Sequence, residues 1–224
     1  MRQKRKKRRI LILKLIVIAL IVYLTIAVFF SVMGSNIRNI HIIDNQYLTD
    51  QEIIDIARLT DYPSFFQTPS FAIRNRLLAS DFIKDVRVRK GWYNRVTIYV
   101  TENRPLLSKD NYLVLEDGTL VEDNGNFSVP RLVNHVPDVQ FSVLVESLSE
   151  IQVSILRKIS EIEYTPNEID DRRFLLHMND GNIVYVNLDR FERIDQYDRI
   201  LPTLEGKKGI LYLDFGSHFE VRSE

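Results

Sequence analysis

Hydrophobic and polar positions follow three different patterns along this chain. Residues 10–33 are apolar without any period, interrupted by one charge, Lys14. At about 1.5 Å per residue they make a helix of roughly 36 Å, long enough for a hydrocarbon core of about 30 Å. Lys14 lies near the start, where its stem can carry the ammonium back to the headgroups. The pattern then becomes mixed. Ile37, Ile40 and Ile42 predict a short strand over residues 36–43. LTDQEIIDIARL predicts a helix: Thr49 and Glu52 have capping-box spacing, and Leu48 and Ile53 sit at the staple positions. Ile53, Ile56, Ala57 and Leu59 form its apolar face. Thr68 as cap, with Pro69 in first position, predicts a second helix whose stripe is Ile73, Leu77 and Leu78. IKDVRVRK and VTIYVTE alternate with period two around the turn GWYN, with Val86, Val88, Val96, Ile98 and Val100 inward. The order β-α-α-β-β describes a small unit with two helices on one face of three strands.

Beyond Arg104-Pro105 the third pattern is strand-rich. YLVLEDGTLVED predicts two strands joined at Asp117-Gly118. An irregular stretch from Pro130 leads to a predicted helix over 147–159, from Ile151, Ile155, Leu156 and Ile159. Strands are predicted at 161–164, 173–178 and 183–187. A helix capped by Asp189 carries Phe191, Ile194, Tyr197 and Leu201 on one face and ends at Pro202. Two strands around Gly216 finish the chain, the last at a sheet edge with unpaired backbone groups.

Charge sharpens the reading of the first pattern. Seven cations (Arg2, Lys4, Arg5, Lys6, Lys7, Arg8 and Arg9) precede the apolar run, and the first acid is Asp44. The positive-inside rule therefore places the N-terminus in the cytoplasm and the remaining chain outside. A cleaved signal peptide shares the basic start, but its apolar region is about 7–15 residues and ends at a small-residue site, unlike AVFFSVMGS. The expectation is an uncleaved single-pass anchor. With eight of the 30 Lys and Arg in residues 1–14, the exported part holds 22 cations against 30 acids, which argues against a nucleic-acid partner. The chain has no cysteine, so neither disulfides nor thiol catalysis is open to it.

Motifs for chemistry are missing. Glu150, Glu161, Glu163, Asp170 and Asp171 read as solvated surface, and His41, His135, His177 and His218 are not spaced as a metal set. Neither G-x-S-x-G, S-x-x-K, K-T-G nor a phosphate-binding glycine loop occurs. No enzymatic activity, cofactor, metal or small-molecule substrate is expected.

These parts together resemble the FtsQ/DivIB family of bitopic cell-division proteins. The basic tail and span precede IRNIHIIDNQYLTDQEIIDIARL, which is similar to the start of the family's POTRA domain, and FIKDVRVRKGWYNRVTIYVTENRPL is similar to its closing hairpin and exit. YLVLEDGTLVEDNG, the later PRL and the terminal GILYLDFG resemble the family's second domain. The implied fold is α+β. A cytoplasmic tail (1–9) and a transmembrane helix (10–33) lead to a POTRA domain (36–104). A β-rich second domain (105–224) follows, with an exposed C-terminal edge strand. The resemblance implies a non-catalytic divisome scaffold in the cell membrane at the division septum. Its partners outside the membrane would be FtsL-type and FtsB/DivIC-type single-pass proteins, and through them the septal peptidoglycan synthases. A partner strand would add to the edge at 217–221, with Phe215, Ser217, His218, Phe219, Glu220 and Val221 as contact residues and Arg193 and Tyr197 flanking the groove. For Phe215 and Tyr212, core packing is the competing expectation. The chain stops just after this strand, so contacts made by longer C-terminal tails are not expected of it. The alternatives are a POTRA-type envelope chaperone for exported clients, which calls for tandem POTRA copies or a barrel, and a cell-wall enzyme with an unrecognised site.

Overall fold

The computed structural model describes residues 2–222; Met1, Ser223, Glu224 and the side chains of 2–12, including the basic cluster, lie outside the described residues. The chain divides into two compact units, residues 1–102 and 103–224.

In the first unit, helix α1 spans Arg2–Met33. Its segment Leu13–Met33 has a mean hydropathy of 2.9 and is long and apolar enough to cross a membrane. Strand β1 (Asn39–Ile43), helices α2 (Asp50–Ile56) and α3 (Ser70–Leu77), and strands β2 (Ile83–Gly91) and β3 (Arg95–Glu102) follow. The sheet order is β1-β3-β2, with β3 parallel to β1 and antiparallel to β2. Ile53, Ala57, Leu59, Ile73 and Leu77 from the helices and loops bury against Val86, Val96, Ile98 and Val100 from the sheet. The capping box is formed as its spacing requires. Glu52 N donates to Thr49 Oγ1 at 3.3 Å, while Thr49 N donates to the Glu52 carboxylate at 2.7 Å. The Thr49 amide, and then the Thr49 hydroxyl donating to the same carboxylate at 2.8 Å, hold the Glu52 carboxyl below its ordinary pKa. The second helix differs from expectation: Pro69 is the residue before the helix, and Thr68 makes no cap bond. Thr68 is instead buried, with its carbonyl accepting from Lys90 Nζ at 2.8 Å.

The second unit is one nine-stranded sheet in the order β12-β11-β10-β9-β8-β7-β4-β5-β6. Its strands are β4 (Pro105–Lys109), β5 (Tyr112–Leu115), β6 (Leu120–Glu122), β7 (Arg131–Leu132), β8 (Ile159–Tyr164), β9 (Arg173–Met178), β10 (Ile183–Asn187), β11 (Gly209–Tyr212) and β12 (His218–Val221). Helices α4 (Asp138–Glu150), α5 (Val153–Leu156) and α6 (Tyr197–Ile200) accompany it. Leu144, Leu148, Ile155, Phe191 and Ile194 pack on Leu106, Ile162, Phe174, Leu176, Val184 and Val186.

Two sequence expectations are corrected here. The helix expected over 147–159 lies over 138–150, because Pro137 and Asp138 start it and Leu144, Val145 and Leu148 supply the buried stripe. Ile151 is extended (ψ 158°), so Ile155 and Leu156 belong to the separate single turn α5, and Ile159 already begins β8. The half-buried Arg104 closes α4, donating to the Leu148 carbonyl at 3.2 Å and the Ile151 carbonyl at 3.4 Å. The helix expected from Asp189 is mostly a tighter 3-10 run, Leu188–Gln196. Asn187, not Asp189, caps it, accepting from Asp189 N at 2.6 Å. Pro202 lies within a further 3-10 run, Leu201–Leu204, rather than ending the element.

Candidate functional site: the β12 edge

Strand β12 pairs with β11 on one side, in the register Gly209↔Val221 to Tyr212↔His218, and its other side has no strand neighbour among the described residues. The edge is the last strand of a large, well-anchored sheet, since β11 in turn lies parallel to β10. An unpaired row of N–H and C=O groups on such a strand is a template for an added strand.

The expected contact residues divide by environment. Phe215 is 66% exposed and Val221 53% exposed, and Ser217, His218 and Glu220 are also exposed. Core packing of Phe215 is therefore excluded; it stands out from the β11–β12 turn. Phe219 is partly buried against the core. Ser217 lies in the turn, since the strand itself begins at His218. Arg193 is half-buried beneath this turn, donating to the Gly216 carbonyl at 3.2 Å and the Leu213 carbonyl at 3.5 Å. With Gln196, Leu213, Gly216 and Ser217 it lines an open cavity of about 370 Å³. Tyr197 is only 1% exposed and lines no surface.

Tyr197 acts from below through a buried polar chain. Its hydroxyl donates to Asp180 Oδ2 at 2.7 Å and accepts from Asn182 Nδ2 at 3.0 Å. The Asn182 side-chain oxygen accepts from Gly209 N at 3.0 Å, the first residue of β11. Burial, reinforced by the Asp180 carboxylate, pushes the Tyr197 phenol well above its ordinary pKa. For Asp180 burial works upward, but the Asn182 amide, the Tyr197 hydroxyl and Lys208 outweigh it and hold the carboxyl low. The turn residues Asp180 and Asn182 thus position β11. Sequence reading finds them only as the loop Asn179-Asp180-Gly181-Asn182, because nothing local says what lies opposite.

One face of the sheet carries a stacked row that ends on β12. The Arg173 guanidinium lies 3.6 Å from the Tyr185 ring centroid, Tyr185 stacks on Tyr212 at 5.3 Å, and Tyr212 on His218 at 6.1 Å. Arg173 Nε also donates to the buried Asp214 at 2.9 Å, and Tyr212 Oη to Glu220 at 3.2 Å. Tyr212 was an expected core candidate and is half-buried, serving this row.

Comparison with known proteins agrees with the two-unit organisation. Residues 35–103 match the model of the POTRA domain, FtsQ-type, and residues 106–215 match that of the cell division protein FtsQ/DivIB, C-terminal. The chain belongs to the FtsQ/DivIB family of cell division proteins. Among curated relatives, the cell division protein DivIB of Bacillus anthracis is 29% identical over 228 residues, covering 96% of this chain and 85% of that protein. DivIB of Bacillus subtilis (strain 168) is 29% identical over 230 residues, 98% of this chain and 85% of its own length. A solved structure of the major extracytoplasmic domain of DivIB from Geobacillus stearothermophilus aligns with a TM-score of 0.39 and 24% identity, over 47% of this chain and 96% of that one. The second family match ends at residue 215, so β12 lies beyond it and is argued from its own geometry.

Proposed function

We propose that this chain is a non-catalytic assembly protein of the bacterial division septum. It is anchored by α1 with its N-terminus in the cytoplasm and presents β12 to single-pass partners outside the membrane. The observation that carries this reading is the open outer edge of β12, at the end of a nine-stranded sheet. A strand from an FtsL-type or FtsB/DivIC-type partner adds there, with backbone pairing giving affinity and alternate side chains giving specificity. Phe215 and Val221 offer exposed apolar contacts, His218 and Glu220 polar ones, and Arg193 holds the turn between the strands. Tyr197 contributes by placing β11 rather than by touching the partner. Through such partners the protein connects to the septal peptidoglycan synthases.

The test is co-purification of the full chain with candidate partners, repeated after removal of residues 217–224. Binding lost with the strand supports edge pairing. Binding kept at unchanged affinity rejects it.

A further inference from the structure

The first unit has a surface that partner-strand addition does not use. Outside α1, its exposed large hydrophobic side chains among the described residues are Ile43, Tyr62, Phe66, Phe71, Trp92 and Tyr93. Ile43 closes β1 at the far end of the sheet. The other five gather at the opposite end, and backbone hydrogen bonds fix where that end lies. Ile37 N donates to the Pro63 carbonyl at 3.0 Å, and Phe65 N to that of Ser35 at 2.9 Å. Ser64 Oγ donates to the Met33 carbonyl at 2.6 Å. On the other side, Asn94 Nδ2 donates to the Asn36 carbonyl at 2.8 Å, and Arg38 N to that of Asn94 at 3.1 Å. Lys90 Nζ bonds the Phe65 and Thr68 carbonyls, which brings the start of α3, and with it Phe71, to the same place.

The aromatic end is therefore tied to the few residues that leave α1. At about 3.3 Å per residue, Asn36 lies within roughly 10 Å of Met33, the last residue of the helix. A helix that spans a bilayer brings this end to the headgroup layer by connectivity alone.

The turn between β2 and β3 points to the same conclusion. Tyr93 (φ 59°) and Asn94 (φ 54°) are successive left-handed residues, a turn geometry that favours Asn-Gly and disfavours tyrosine. Trp92 is 91% and Tyr93 82% exposed, so the turn is held by the bonds of Asn94 while these two side chains pack against little of the unit. Tryptophan and tyrosine, apolar rings with one polar group, are the residues that settle at membrane–water interfaces. Arg38 and Arg95, both exposed, flank the turn and suit lipid phosphate.

We propose that this end of the first unit rests in the headgroup layer of the membrane crossed by α1, with Trp92 and Tyr93 inserted among the lipids. The proposal depends on α1 being a span. It gives the unit a fixed height above the bilayer, set by side chains as well as by the tether.

Trp92 is the only tryptophan in the chain and so reports directly on the contact. The full chain is reconstituted into phosphatidylcholine–phosphatidylglycerol vesicles, with and without spin-labelled lipids carrying the quencher near the headgroup. The expected result is roughly twofold quenching of Trp92 by the labelled lipid and protection from aqueous acrylamide, as for an interfacial indole. The double variant Trp92→Phe, Ile43→Trp moves the indole to the exposed far end of the same sheet; it should be open to acrylamide and untouched by the labelled lipid. Trp92 unquenched in protein that resists alkaline extraction overturns the lipid contact while leaving the span intact, and points to a protein occupant. Equal quenching of both indoles overturns it too, since no particular end is then favoured. Release by alkaline extraction defeats the span, and the lipid contact with it.

Discussion

Gly209 and the Glu220 carbonyl oxygen approach so closely that a Cβ at Gly209 would stand 2.0 Å from that oxygen. The Phe219 ring, 2.8 Å from the same point, closes the space from the side. Backbone of β12 lies where any side chain on Gly209 would go, so the edge strand cannot keep its place over a larger residue. Gly209→Ala should therefore displace β12, destabilising the second unit by about 1–3 kcal/mol, as overpacking does. Amide exchange is expected to accelerate at 218–221 while β8 and β9 stay protected, and partner binding to fall with it. Protected amides and full affinity would show that β12 does not need this approach.

Substitution of Phe215 tests binding apart from folding. It is exposed, so Phe215→Ser should leave the urea midpoint within about 0.5 kcal/mol of the parent. If it is an anchor for the added strand, partner affinity should drop about tenfold or more. Titration calorimetry with the purified partner segment reads this, and an unchanged Kd removes Phe215 from the contact.

Tyr197 gives the opposite signature. Tyr197→Phe strips a hydroxyl from between Asp180 and Asn182 and should lower stability by about 1–3 kcal/mol, the penalty of leaving buried polar groups unpaired. Its effect has a definite pH dependence. The folded-state pKa of the phenol is raised, so its contribution is full below the unfolded value near 10 and is lost as pH rises beyond it. The difference in unfolding free energy between parent and variant should hold steady from pH 6 to about 9 and shrink at higher pH. A constant difference up to pH 11 would contradict the buried network.

Glu52 supplies the acid counterpart in the first unit. Its folded-state pKa is lowered, chiefly by the Thr49 amide, so its contribution is present above the unfolded value and is lost as pH falls through the folded one. Thr49→Ala removes the cap and should cost about 0.5–2 kcal/mol at neutral pH. Urea titrations at pH 7 and below 4 should show that cost diminishing in acid.

Glu102 joins the start of α2 to the end of β3. Its carboxylate accepts from Gln46 N at 2.6 Å, Tyr47 N at 2.8 Å and Leu48 N at 2.9 Å. Glu102→Ala leaves these amides without their acceptor and should destabilise the first unit by about 1–3 kcal/mol. The second unit's transition should stay where it was, which two-phase denaturation would show.

How far the sequence reached can be judged element by element. The apolar run, the capping box at Thr49, the stripe Ile73–Leu77 and the alternation around GWYN were legible because each is a local rule, satisfied by neighbours within a turn or a strand. The two strands around Gly216 were legible for a similar reason. The displaced α4 shows the limit: its start at Pro137 and the break at Ile151 are weak local signals, and the apolar residues of α5 and β8 could be read as its continuation. Tyr197 shows another. Its place in an apolar stripe was evident, but its burial and its bonds to Asp180 and Asn182 depend on a turn fifteen residues away. The contacts of Arg173 and Gly209, and the placing of Tyr62, Phe66 and Phe71 at the same end as Trp92, gave no local pattern at all. The sequence by itself determined the long apolar helix, the two-unit order and which faces are apolar, because periodicity and composition are properties of consecutive residues. Only the tertiary structure decided what β12 leans on, what Tyr197 holds and which aromatics share the end of the first unit next to the exit of α1, because those contacts join residues that the chain keeps far apart.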